Sequence, residues 1–418
     1  MHAAVAAELA ARARRASRAL AVATTAQKNA VLGRIRAALA TSDVIETVLA
    51  ANAVDVDAGI AAGLSPSMVD RLRLDPQRLV SLGRALQQVA ALPDPVGRIT
   101  ELGAQPSGIV VGRMHVPLGV VLMIYEARPN VTIDATALCL KAGNAVILRG
   151  GREALQTNKA LAAIVAAALV EEGLPADAAL FVDDPERELL YALLRRSGEI
   201  DLAIPRGGTA LIDAVNTHAR VPVIQHYQGI CHVYVNAGAD VGMAEQIVVN
   251  AKTSRPGVCN AAEGLIVDAA IAAAAVPRLA KSLRDLGVET VGCERAVAFD
   301  AAIAPAGAAD FDTEFLGPKI AVKVVDDEAA ALTFIAEHGS HHTESIVTND
   351  HAAAMRFLRA VDASCVMVNA STRFNDGGEL GLGAELGIST TKLHAYGPMG
   401  LEELCTRKFV VLGHGEVR

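Results

Sequence analysis

The chain has 418 residues, 52% of them hydrophobic and 20% charged, which is ample apolar material for large buried cores and points to two or three domains. Lysine and arginine total 38 against 46 aspartates and glutamates, so the field around the molecule is mildly acidic and argues against a nucleic-acid partner. The longest apolar stretch, residues 160–170, lies between Lys159 and Glu171 and falls short of the roughly 20 residues that cross a bilayer, so no membrane span is expected.

The Ala- and Arg-rich start, residues 1–20, contains Glu8 and puts its apolar residues on one helical face, so it reads as a helix of the fold and not as a targeting segment. Apolar residues recur at three and four spacing over 26–40 and 66–92, which predicts a helical layer in the first hundred residues. Residues 108–119, GIVVGRMHVPLG, hold two strand-like pieces with no helix between them and predict a protruding hairpin.

Short β-rich runs at 119–125, 145–149, 201–205, 221–225 and 232–236 then alternate with helical patterns at 132–141, 152–171, 185–196 and 209–218. A second series, strand-like at 264–268, 296–300, 320–325, 345–349 and 365–369, is separated by helices such as 326–337. This alternation predicts an α/β fold class with two doubly wound parallel sheets in tandem. The final run, KFVVLG at 408–413, has no local strand to pair with. Unpaired strands often complete a neighbour's sheet, so the hairpin and this tail predict a homo-oligomer; the alternative is that both pair within one subunit.

Six cysteines, at 139, 231, 259, 293, 365 and 405, show no CxxC pair and no disulfide-framework spacing, which points to a reducing, cytoplasmic setting. In SRPGVCNAAEG (254–264) a helix ending near Thr253 gives way to Pro256 and Gly257 before Cys259, so the chain turns sharply there. A loop thiol among backbone N–H groups, with Arg255 close by, favours the thiolate, and the thiolate is the nucleophile. The other five have plain readings: Cys139 lies in the apolar helix TALCL, Cys231 and Cys365 lead into strands, Cys293 follows a glycine in a loop, and Cys405 sits on a charged helix.

EARPNVTID (126–134) joins the end of one strand to the start of a helix, the place where parallel sheets bind ligands. Asn130 there can donate its amide to an oxyanion, although the residues alone favour a helix cap. KAGNAVILRGGREA (141–154) ends a strand with Arg149, Gly150 and Gly151, and Arg149 with Arg152 suits phosphate; IPRGGTALID (204–213) sets Gly207 and Gly208 at a similar turn. Each turn alone has an ordinary reading too. No GxGxxG follows an early strand; GLGAELG (381–387) has the wrong spacing. His341 and His342 are adjacent, point different ways and lack supporting ligands, so no metal is expected.

Taken in order, YEARPNVT, KAGNAVILRGG, PRGGTALI, HYQGICHVYVN, RPGVCNAAE, TEFLGPKIAVKVV and VNASTRFNDGGELGLGAELGIST resemble the γ-glutamyl phosphate reductases of the aldehyde dehydrogenase superfamily over nearly the whole chain. The resemblance implies an NADP-binding domain at 1–103 and 117–232 on a variant Rossmann sheet, a catalytic domain at 233–395, and a small β oligomerisation element at 104–116 and 396–418. It implies Cys259 as nucleophile, Asn130 with the Cys259 N–H as oxyanion hole, and Arg149, Gly150, Gly207, Gly208 and Glu314 as contacts of NADP (NADPH), Glu314 at the nicotinamide ribose.

The implied reaction is reduction of L-glutamyl 5-phosphate to L-glutamate 5-semialdehyde through a Cys259 thioester, the second step from glutamate toward proline, with glutamate 5-kinase as a transient partner for which no residue here speaks. Hydrolytic relatives carry a glutamate in the stretch matching HYQGICHVYVN; its absence here protects the thioester from water. Gly317, Pro318 and Lys319 depart from the pattern, so the loop near the nicotinamide is expected to be shaped differently. Arg373 in NASTRFNDG suits the substrate's α-carboxylate, and Arg128 or Arg255 its phosphate. Competing readings are an NAD(P)-dependent aldehyde dehydrogenase for another small semialdehyde and a non-catalytic nucleotide-binding relative.

Overall fold

The computed structural model describes residues 1–225 and 228–418. The chain forms two compact units, one of Met1–Gln225, Leu382–Gly387 and Met399–Arg418, the other of His226–Gly381 and Ile388–Pro398.

The first unit opens with helices α1 (His2–Leu20), α2 (Thr25–Ala38), α3 (Ser42–Ala61), α4 (Pro66–Leu72) and α5 (Pro76–Ala91). α1 buries Ala6, Ala10, Ala13, Ser17 and Leu20, spaced three or four apart. Thr24 and Gln27 form a capping box for α2. The single helix expected over 66–92 is two: Pro76 forces Asp75 into an extended conformation, and Asp75 then caps α5. α5 buries Leu79, Leu82, Leu86 and Val89, and each such side chain contributes about 1.5–3 kcal/mol.

Next come β1 (Ile99–Ala104), β2 (Val110–Pro117), β3 (Val120–Tyr125), α6 (Asn130–Lys141), β4 (Ala145–Gly150), α7 (Leu155–Glu171), β5 (Ala179–Phe181), α8 (Arg187–Leu194), β6 (Leu202–Arg206) and α9 (Thr209–His218). Strands β3 to β6 make a parallel sheet in the order β5-β4-β3-β6, with every residue of β3 and β4 buried. The run 221–225 is not a strand: Pro222 lacks an N–H, and only Val223 bridges to Ala203. With its 3-10 lead-in, helix Arg152–Glu171 is long and apolar enough to cross a membrane, although 160–170 alone is not; it packs against α2, α3 and β5 and buries Leu161, Val165 and Leu169.

The second unit contains β7 (Cys231–Val235), α10 (Val241–Thr253), β8 (Ala262–Asp268), α11 (Ala269–Asp285), β9 (Glu289–Gly292), α12 (Glu294–Phe299), β10 (Ala304–Pro305), β11 (Lys319–Val325), α13 (Glu328–His338), β12 (Thr343–Val347), α14 (His351–Ala360) and β13 (Cys365–Val368). Its parallel sheet runs β10-β9-β11-β8-β7-β12-β13. Residues 296–299, expected with Asp300 as a strand, belong to α12, and Asp300 is its C-cap; one β-branched residue among alanines gives little strand preference, and Cys293, just past β9, is the N-cap. A short ladder, β14 (Ile388–Ser389) with β15 (Gly397–Pro398), completes the unit.

The last strand, β16 (Cys405–Leu412), returns to the first unit and pairs antiparallel with β2 along its whole length, giving the sheet β1-β2-β16. This corrects three expectations. The hairpin partner of β2 is β1, not a piece of 108–119; the tail strand pairs within its own chain; and Cys405 starts a strand, not a helix.

Candidate active site

In the first unit the chain steps outward from β3 to β4 and β5 and then returns to β6 on the other side of β3, so the crevice at the carboxyl ends of β3 and β6 is a topological switch point. Glu126, just past β3, accepts the Gly208 N–H at 3.0 Å, at the turn that starts α9. A Cβ on Gly207 would lie 2.3 Å from the same carboxylate, which explains glycine there without any ligand; the space at Gly208 is open. Ala127 adopts φ 43°, a conformation uncommon outside glycine, and Glu153 holds its N–H at 2.5 Å.

These carboxyl ends border a cleft of about 690 Å³ lined by Glu126, Arg149, Arg152, Glu153, Arg187 and Ala210 among others. Arg149 is 9% exposed and gives Nη2 to the Pro185 carbonyl at 2.6 Å, while its buried Nε has no partner in the protein. Arg152 faces Glu186 at 3.5 Å on the surface. A Cβ on Gly150 would meet Asn158 at 2.2 Å. Glu126, Glu153, Glu186 and Glu188 line the cleft alongside Arg149, Arg152 and Arg187, so its size and the orphaned Arg149 N–H, not its net charge, fit a dinucleotide phosphate.

Arg128 and Pro129 lead into α6, of which Asn130 is the first residue. The Asn130 side chain makes no cap bond, contrary to the plain reading of its position; its Nδ2 donates to Asp134 Oδ2 at 2.9 Å.

In the second unit the Cys259 loop joins α10 to β8, at the amino ends of the strands and not at their carboxyl ends. Cys259 is partly exposed, and Ala261 N–H bonds to Val258 O across it. The neighbouring Asn260 donates to the Asn375 carbonyl at 2.9 Å and accepts from Thr372 at 2.7 Å, so the loop is pinned to segment 372–375. That pinning brings Arg373 close to both Arg255 and Cys259. Arg373 gives Nε to Ser254 Oγ at 3.1 Å, and burial, then the Arg255 charge, lower its proton affinity from the ordinary arginine value.

Gly229 runs so close to the loop that a Cβ there would lie 1.9 Å from the Cys259 carbonyl oxygen, which also accepts from the Cys231 thiol at 3.2 Å. The Gly229 N–H donates to Glu314 Oε1 at 2.9 Å. Burial pushes the Glu314 carboxyl up, opposed by that N–H and by Lys252. Behind it Lys252 and Glu263, 0% and 2% exposed, form an ion pair of 2.5 Å, and Glu263 also accepts the Leu316 N–H at 3.3 Å. Burial pushes Glu263 up to about 7 against the pull of Lys252.

The expected residues thus fall into two groups, each within one unit: Arg128, Asn130, Arg149, Gly150, Gly207 and Gly208 around one crevice, and Cys259, Arg255, Arg373 and Glu314 around one loop. The stretch from 226 opens at His226 and Tyr227, outside the described residues; it carries no carboxylate of its own, but Glu314 reaches it in space through Gly229. His341 Nδ1 meets the Asp362 carbonyl and His342 Nδ1 meets Thr343, each at 2.7 Å. Sequence reasoning missed Asp134, Gly229, Lys252 and Glu263. Only Glu263 gave a signal: a carboxylate directly before the apolar run GLIV of a buried strand needs a partner.

The model of the aldehyde dehydrogenase family matches residues 2–310. A γ-glutamyl phosphate reductase of Solidesulfovibrio magneticus is 53% identical over 412 residues, 98% of each chain. One from Anaeromyxobacter dehalogenans is 52% identical over 98% of this chain and 97% of its own. The crystal structure of γ-glutamyl phosphate reductase from Thermotoga maritima superposes with a TM-score of 0.96 at 41% identity, covering 99% of both chains.

Proposed function

Since the chain belongs to the aldehyde dehydrogenase family and, within it, to the γ-glutamyl phosphate reductases, we propose that it reduces L-glutamyl 5-phosphate to L-glutamate 5-semialdehyde and phosphate through a thioester on Cys259, with NADPH as reductant. The observation that carries the mechanism is the Cys259 loop, where a partly exposed thiol stands near the Arg373 guanidinium, itself near Arg255.

Cys259 Sγ attacks the γ-carbonyl carbon; a C–S bond forms and the π electrons move to oxygen. The Asn130 amide and the Cys259 N–H donate to that oxyanion. Its collapse breaks the C–O bond to phosphate, leaving the γ-glutamyl thioester. Arg373 pairs with the α-carboxylate, and Arg255 or Arg128 neutralises the departing phosphate.

When bound, NADPH supplies the hydride that reduces the thioester to a thiohemiacetal. Arg149 and Arg152 would pair with its 2′-phosphate, Gly150, Gly207 and Gly208 would contact the cofactor, and Glu314 would hold its nicotinamide ribose. The thiohemiacetal then breaks its C–S bond, returns the thiol and releases the aldehyde.

The three-stranded sheet β1-β2-β16 serves in this reading as a subunit contact. Its exposed Ile99, Leu102, Phe409, Val411 and Leu412 support that role.

The test runs the reaction backwards, with L-glutamate 5-semialdehyde, phosphate and NADP, and follows nicotinamide reduction. Reduction should require phosphate, and Cys259→Ala should lower it by about 10³-fold or more. Reduction without phosphate would mark a hydrolytic dehydrogenase instead.

A further inference from the structure

Asn130 occupies the first position of α6 and Asp134 the fifth, so the two side chains share one helix face a single turn apart. Arg206, the last residue of β6, is the charge that acts on the Asp134 carboxylate from another element. Asp134 is half-buried, and Leu138, one turn further along the same helix face, is fully buried, so the ionised group has apolar surface on that side. The Asn130 amide N–H donates to the carboxylate at 2.9 Å. We propose that Asp134 is a positioning residue: while ionised it fixes the orientation of the Asn130 carboxamide, and with it the oxyanion donor.

The argument rests on the reading of Asn130 as that donor. An asparagine amide rotates broadly about its last torsion, so one end must be tied if the other is to be aimed. An ionised carboxylate only accepts hydrogen bonds, so it selects the NH₂ end; the second N–H of the same nitrogen then remains for substrate. A protonated Asp134 donates its O–H and selects the amide oxygen. That flip carries the donor nitrogen roughly 2 Å, the N to O span set by amide bond lengths. A misplacement of about 1 Å already costs on the order of 10²-fold in rate.

Burial pushes the Asp134 carboxyl up to about 6, with Asn130 and Arg206 opposing. The sign follows. Above that pH the carboxylate holds the donor in place; as pH falls through it, the acid form releases the amide and turnover drops.

The experiment measures kcat against pH for NADP reduction by the full-length protein with glutamate 5-semialdehyde and phosphate. Phosphate titrates in the same range, so the readout is the difference between variants. Asp134→Asn should lower kcat about tenfold with little change in KM for NADP, and should lose the part of the acid limb centred near 6 that wild type shows. Asp134→Glu, which keeps an ionisable acceptor, should keep that limb.

Asn130→Ala should lose about 10²–10³-fold. Adding Asp134→Asn to Asn130→Ala should cost nothing further, because the aspartate acts through the amide. A full additional loss in the double variant, or an unchanged pH profile in Asp134→Asn, overturns the proposal while leaving Asn130 as donor. An Asn130→Ala protein with undiminished kcat would instead remove the donor reading itself.

Discussion

Two neighbouring guanidinium groups repel each other unless an anion joins them. Arg373 is oriented by Ser254 and faces Arg255 and Cys259, so it is placed to receive a carboxylate with its remaining donors. Replacing it with lysine keeps the charge but loses the planar fork, at a cost of about 1.5–3 kcal/mol for a charged hydrogen bond. Arg373→Lys should therefore raise KM for glutamate 5-semialdehyde roughly 10–100-fold with an unchanged melting temperature; initial rates at saturating NADP and phosphate decide it, and an unaltered KM excludes Arg373 from the site. At this scale the turn before Cys259 was legible because Pro256 and Gly257 precede the cysteine. The partner of the Asn130 side chain was not, since a helix-start asparagine looks the same whether it caps or bonds along the helix, and only the bond to Asp134 separates the two.

Lys252 ends α10 and Glu263 lies at the start of β8, so their ion pair ties together the two elements that flank the Cys259 loop. Removing one partner leaves the other charge buried, which costs about 3–5 kcal/mol, whereas replacing both by apolar residues restores most of the loss. Glu263 is pushed above its ordinary value by burial, so its ionised form is the costly one in the fold. That cost is absent at low pH, grows as pH rises from the ordinary carboxylate value to about 7 and then levels off, and losing Lys252 carries the rise to higher pH. Lys252→Met should accordingly be less destabilised at pH 5 than at pH 8 in urea unfolding, with Lys252→Met/Glu263→Leu regaining most of the difference. An equal deficit at both pH values would mean the pair contributes by packing alone. Elements whose patterns were long or fully apolar, such as β3, β4, α7 and β8, could be read from sequence. Those resting on a few residues could not: β5 spans Ala179–Phe181, and α12 offers a short apolar run that suits either helix or strand.

Local patterns predicted two parallel sheets but contain nothing about strand order. The insertion of β11 between β8 and β9, and the pairing of β16 with β2, join segments far apart in sequence, and that is why the tail looked unpartnered. Pairing within the chain does not remove the case for association. β16 is an edge strand of eight residues with Phe409, Val411 and Leu412 exposed at 66%, 57% and 60%, and a long, apolar, uncovered edge is a template for another chain. Phe409 lies under the Arg113 guanidinium, 4.2 Å from ring centroid, so an aspartate there would keep a local partner while placing a charge on the apolar face. Phe409→Asp should shift the particle to a smaller mass by light scattering, with the far-ultraviolet circular dichroism of the wild type. If the wild-type protein has the mass of one chain, or if the variant keeps the wild-type assembly, the face has another use. Loss of assembly with the phosphate-dependent reductase activity retained would further show that each subunit carries a complete site.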